Sequence, residues 1–249
     1  MKKFYEKNEI WFAVIWIIVY VVGASLADML SGIVGVEKSI TLPFLFALSV
    51  FFVIWIVKSN LKDKYGLCKP VGNMKNYLFY IPLLVLISIN FWFGVKLNYS
   101  PLESVLYAIS MLLVGFVEEI IFRGLLFKAI AKENVKVAII VSSVTFGIGH
   151  IINLVSSGGE NILSNLLQVC YAMAVGFLFV VMFYRGKSLI ACIVTHSLVN
   201  AGSTFQNVTA VQGSYLEIIE AVVIIVVAVV YAVVLWRTLP KQEEENSPL

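Results

Sequence analysis

Polar positions along this chain are sparse and punctuate long apolar runs, and the runs predict helices rather than strands. Eight are read: about 10–30, 40–57, 77–95, 104–127, 137–154, 165–184, 188–201 and 215–236. Most approach or exceed the roughly 20 residues that a helix needs to cross the hydrocarbon core of a bilayer. The seventh, with about 14 residues spanning ~21 Å at 1.5 Å per residue, is too short to cross unaided and is either sheltered by its neighbours or extended into the flanking loop. Stretches such as Ala221–Leu235 offer no polar face that a soluble helix would turn to water. The expected fold class is therefore all-α: a polytopic integral membrane protein of about eight helices around a buried polar site.

Composition supports this reading. Hydrophobic residues make up 60% of the 249 and charged ones only 13%, with a mean hydropathy of +0.94. Residues 1–240 are read as a single transmembrane domain with its chemistry concentrated in 104–202, and residues 241–249, carrying Glu243-Glu244-Glu245, as a disordered cytoplasmic tail. The small-residue stretch Ala24-Ser25-Leu26-Ala27 resembles a signal-cleavage site, but the apolar run before it is long for a signal peptide, and retention is expected. Cys68, Cys170 and Cys192 have neither a disulfide framework nor metal-ligand spacing.

Charge orients the chain. Fifteen of the 18 basic residues fall at the N-terminus, in segments 58–75, 128–136 and 185–187, or after residue 236. Lys38 and Lys96 lie in the opposite loops, and Arg123 lies within a span. The positive-inside rule then places both termini in the cytoplasm of a multi-pass protein of the cell membrane. The net charge of +3 is accounted for by anchoring at the inner leaflet, and no nucleic-acid partner is expected. Trp11, Trp55, Trp92 and Trp236 are placed to form interfacial belts.

Ionisable groups inside the runs are costly there and are functional candidates for that reason. The fourth run carries Glu118, Glu119 and Arg123. Glu119 and Arg123 are four apart and meet on one helix face, whereas Glu118 points about 100° away with no partner in its own helix. The fifth run places Phe146 one turn before His150, between and beside Gly147 and Gly149 that admit a neighbouring helix, with Asn153 placed to orient the imidazole. The seventh run puts His196 and Asn200 on one stripe. Counted from the cytoplasmic ends, Glu118, His150 and His196 lie about 15, 20 and 12 Å deep. A carboxylate and an imidazole at similar depth can deprotonate water, while a second imidazole and an amide can donate to an oxyanion. As isolated features, a Glu–Arg pair and a His/Asn pair also serve simply to join helices.

These residues resemble the motifs of the CPBP (Abi/CAAX protease) family of intramembrane endopeptidases, which includes the Rce1-type prenyl-protein proteases and bacterial relatives. Glu118-Glu119-Ile120-Ile121-Phe122-Arg123, Phe146-Gly147-Ile148-Gly149-His150 and His196-Ser197-Leu198-Val199-Asn200 stand in the family's order, each in a separate span. The resemblance covers mainly residues 104–202 and departs at no motif position. It implies a bacterial protease in which Glu118 and His150 activate water, His196 and Asn200 form the oxyanion site, and Glu119 and Arg123 tune that shell, with Phe146 and Asn153 supporting. No cofactor is favoured. A zinc ion held by Glu118, His150 and His196 is the alternative, although the His-Glu-x-x-His pattern is lacking. The implied partner is a membrane-associated or lipid-modified peptide or protein: a CAAX-type tail, a pheromone precursor or a target in bacteriocin self-immunity. A cavity near the inner leaflet is expected to receive it. A proton- or ion-coupled transporter and a non-enzymatic membrane scaffold remain as other uses of the same buried groups, with Asp28 a further candidate for the former.

Overall fold

The computed structural model describes residues 2–156 and 161–240; the expected tail 241–249 lies outside the described residues. A short helix α1 (Lys2–Lys7) leads into α2 (Glu9–Val34), capped by Asn8 Oδ1 accepting from Trp11 N at 2.9 Å and closed by Gly35 in the left-handed region. Next come α3 (Thr41–Lys58), α4 (Ile81–Ser88) and α5 (Pro101–Glu119). Helix α5 begins with a capping box between Ser100 and Glu103 and carries Pro101 at its first turn. The chain continues through a π-helical stretch, Ile120–Phe127, into α6 (Lys128–Ala131). There follow α7 (Val135–Gly149), α8 (Ile151–Ser156), α9 (Ile162–Gly186), α10 (Ile190–Ser203), α11 (Val208–Val211) and α12 (Tyr215–Thr238). Among the described residues there is no strand, only an isolated bridge between Val95 and Gln206.

Seven helical segments among the described residues are long and apolar enough to cross a membrane, and α10, with 14 residues, is the short span that the sequence predicts. Three expectations need correction. The third span does not run evenly over 77–95. Leu78, Phe79 and Tyr80 adopt positive φ, and regular helix starts at Ile81 with Pro82 in its first turn, where the missing N–H costs no intrahelical bond. The fifth span turns at His150, dividing α7 from α8. Trp55 is buried against Tyr5 and Phe12 rather than lying in an interfacial belt, whereas Trp11 is well exposed.

Helix α9 is the central post, packed against α7 on one side and α12 on the other, while α5 pairs with α10 and α3. Close approach uses absent side chains. A Cβ on Gly115 would fall 2.5 Å from the backbone N of Ser197, so the α5–α10 contact needs glycine there. Gly147 likewise meets the backbone of α9, at Val169 O and Met173 N, but Gly149 faces open space and brings no helix closer.

Polar ties define the two ends of the bundle. Lys64 Nζ and Lys132 Nζ both pair with Glu9, at 2.7 and 2.9 Å, and Lys64 also bonds the Tyr5 hydroxyl. Val71 N donates to Gly186 O and Asn76 Nδ2 to Thr238 O. The start of α2, the basic segments and the C-terminal ends of α9 and α12 thus share one end. The C-terminal ends of α7 and α10 and the N-terminal ends of α9 and α12 lie at the other. Burial drives the Tyr5 and Tyr65 hydroxyls well above the usual phenol range, so this knot is made of neutral phenols around a charged triad.

Candidate active site

The last turn of α5 and the π-helical stretch after it carry the carboxylates and the arginine. Widening the helix by one residue per turn is rare and is found mostly at functional positions. Glu119 and Arg123 are both wholly buried, with Arg123 Nη1 donating to Glu119 Oε1 at 2.9 Å. The same oxygen lies 2.8 Å from Nδ1 of His196 on α10. With Nδ1 donating to that carboxylate, the imidazole is fixed in orientation and Nε2 is its free nitrogen. Nε2 faces Glu118 Oε2 at 3.5 Å. Glu118 Oε1 accepts from the Tyr20 hydroxyl at 2.5 Å, while Oε2 is buried with no hydrogen-bond partner. One chain of contacts thus runs Tyr20–Glu118–His196–Glu119–Arg123 through α2, α5, α10 and the π-helical stretch.

Phe146 is the apolar hub of this group. Its ring covers Arg123 at 4.1 Å from Cζ and stands edge-on to His196 and His150, at centroid distances of 5.5 and 5.2 Å. The face of the ring stabilises the guanidinium, whose Nε and Nη2 have no hydrogen-bond partner. Gly176 makes room for both: a Cβ there would sit 3.2 Å from Phe146 and 3.3 Å from Arg123 Nη2. Gly176 therefore seats the site as well as packing the helices.

His150, at the turn after α7, holds its Nδ1 3.0 Å from the Phe146 carbonyl and forms no ion pair with either carboxylate. The structure therefore joins Glu118 to His196 rather than to His150. Asn153 is turned away from the imidazole and donates instead to Gln168 Oε1 on α9 at 2.9 Å. His150, His196 and Asn200 nevertheless line one cavity of about 480 Å³, walled by apolar residues including Phe146 and Phe179. Glu118 meets that cavity through His196. The cavity reaches the surface at exposed Asn153, Asn161 and Gln212. It opens at the end of the bundle opposite the basic segments, because the ends of α7 and α10 and the starts of α9 and α12 form its mouth. Among the described residues, no group of three or more His, Cys, Asp or Glu is arranged to hold a metal ion. The zinc set Glu118, His150 and His196 does not converge because His150 stands apart from the other two.

Tyr20 is absent from the sequence reading, although a lone tyrosine near the middle of an apolar run is a usable signal. Glu217 and Glu220, both cavity-lining and in the last span, are absent too, and the rule that singled out Glu118 applies equally to them. Asp28 is engaged by Lys38 Nζ at 2.7 Å and by Thr41 Oγ1 at 2.5 Å, away from this group.

Together these features define a polytopic helical membrane protein whose bundle encloses a carboxylate–imidazole cluster beside a cavity. Residues 100–202 match the family model described as type II CAAX prenyl endopeptidase Rce1-like. No curated protein and no solved structure matches the chain.

Proposed function

We propose that the protein is an intramembrane endopeptidase that hydrolyses a peptide bond with a water molecule activated by Glu118. The single observation that carries this reading is the buried Glu118 Oε2, without a hydrogen bond and 3.5 Å from His196 Nε2, in a carboxylate whose other oxygen is held by Tyr20. A carboxylate so placed is ready to take a proton from water as the water oxygen attacks the scissile carbonyl carbon, and then to return that proton to the leaving amine as the C–N bond breaks. His196, held at Nδ1 by Glu119, donates from Nε2 to the oxyanion in its doubly protonated form, together with Asn200, one helical turn away. His150 lines the same cavity, with Nδ1 held by the Phe146 carbonyl, and is assigned to orienting the water and substrate there. Glu119 and Arg123 hold His196 in register. In this reading the side chains supply base, donors and orientation, and no metal is invoked.

Orientation by the positive-inside rule places both termini in the cytoplasm of the cell membrane and turns the cavity mouth to the opposite face. A peptide segment lodged in the bilayer or emerging at that face, such as a pheromone precursor or signal fragment, fits this mouth better than a CAAX tail presented from the cytoplasm.

The test is cleavage of a membrane-peptide panel by the purified protein in nanodiscs. Wild type is expected to cleave with a strong chelator present, while Glu118→Gln and His150→Ala lose activity by about 10²–10⁴-fold. Loss on chelation with rescue by zinc would replace this mechanism with a metal-dependent one. Equal cleavage by wild type and both variants would remove the site altogether.

A further inference from the structure

The cavity lined by His196 is also lined by a second buried carboxylate, Glu220. It lies on α12, outside the family match and outside every motif considered above. Glu220 is only 7% exposed. Its Oε2 accepts from Gln206 Nε2 at 2.7 Å, and its Oε1 is buried without a partner. Gln206 is itself anchored, since its carbonyl accepts from Asn98 Nδ2 at 2.9 Å and its backbone bridges to Val95. The carboxylate is thus held in one orientation by one oxygen while the other has nothing to bond. Most buried carboxylate oxygens are hydrogen-bonded, and in a membrane span an unsatisfied one is expensive to maintain.

The surroundings select the charge of the missing partner. Glu217, one turn earlier on α12, also lines the cavity and accepts from Gly213 N at 3.0 Å. Among the described residues, no lysine or arginine lines the cavity. The remaining polar wall near this end is neutral, with Gln168 and Tyr171 from α9. Glu220 is five residues from the start of α12, about 7.5 Å along the helix. That depth is within reach of a long cationic side chain whose stem lies along apolar walls.

We infer that Glu220 is a specificity subsite that binds an ammonium or guanidinium group of the peptide substrate while the scissile bond lies at His196 and Asn200. The subsite rests on the protease reading for its occupant, although its binding is measurable without cleavage. The cation belongs either to a lysine or arginine side chain or to a free amino terminus.

The experiment uses short, fluorescent, largely apolar peptides in which one lysine is walked along the chain. Each is made with a free or an acetylated amino terminus, and each has a norleucine counterpart. Binding is measured by anisotropy to full-length protein in nanodiscs, carrying Glu118→Gln to suppress turnover, with and without Glu220→Gln. One lysine register, or the free amino terminus, is expected to bind about tenfold or more tighter than its neutral counterpart. That advantage should vanish in Glu220→Gln. Glu220→Lys should transfer it to peptides bearing glutamate at the same register. Glu220→Gln is isosteric, and an unchanged thermal transition shows that its fold is intact. The subsite is overturned if lysine and norleucine peptides bind alike in every register, or if the advantage survives Glu220→Gln. Cleavage of the same peptides by wild type reads separately. Cleavage indifferent to the cation sinks the subsite and leaves the protease standing; Glu220-dependent binding with no cleavage of any peptide does the reverse.

Discussion

Adjacent carboxylates at positions 118 and 119 meet opposite fates because a helix turns by about 100° per residue. Glu119 is neutralised by Arg123 and by His196, all three within one buried cluster. Removing the arginine leaves two carboxylates facing one imidazole. Arg123→Met is therefore expected to destabilise the protein by about 3–5 kcal/mol, read by thermal unfolding in detergent, whereas the pair Glu119→Gln/Arg123→Met should recover much of that loss. Glu118 instead keeps one oxygen free because Tyr20 claims only the other. Tyr20→Phe removes a single hydroxyl and no packing volume. If Tyr20 positions the base, kcat should fall on the order of tenfold with KM little changed. An equal rise in KM, or no change in either constant, would assign the hydroxyl a structural role only.

Among the elements, the contact between α5 and α10 brings Glu118 and Glu119 to His196. It depends on Gly115, against which the backbone of Ser197 lies, while Ser197 Oγ donates to Leu112 O at 2.8 Å. Gly115→Val should push the two helices apart, costing roughly 1–3 kcal/mol in the same unfolding measurement. Its activity should fall by more than the change in stability accounts for, since the His196–Glu118 separation widens. The π-helical stretch Ile120–Phe127 belongs to this scale too. It sets where Arg123 lies against Phe146, and Ser142 Oγ secures it by donating to the Phe122 carbonyl at 2.9 Å.

The whole molecule decides which way the site faces. Polar ties among Glu9, Lys64 and Lys132 and between Asn76 and Thr238 collect the basic segments at one end, and the cavity opens at the other. In a chain with Cys68, Cys170 and Cys192 replaced, Gln212→Cys should react with a membrane-impermeant maleimide in intact cells. Lys62→Cys should react only after permeabilisation. The reverse pattern would turn the mouth to the cytoplasm and restore a CAAX-like tail as a fitting substrate.

The apolar runs by themselves determined the helical class, the near-complete set of spans and the short length of α10, because backbone polar groups in lipid must be satisfied within a helix. The three motifs were legible for the same energetic reason: an ionisable residue in an apolar run stands out in one dimension. Tertiary structure alone decided the rest. Tyr20 and Glu118 are 98 residues apart in sequence, and no local spacing reports their hydrogen bond. Glu118 faces His196 across a contact that no local spacing reports, because α10 is the helix packed on α5. Asn153 turned to Gln168 because the chain bends at His150, taking Asn153 off the face that a continuous helix would have given it. The cavity and its Glu220 end belong to α9, α10 and α12 jointly. Such an enclosure arises from how helices pack around one another, and helical periodicity in any single segment records only which face is apolar, not which neighbour will meet it.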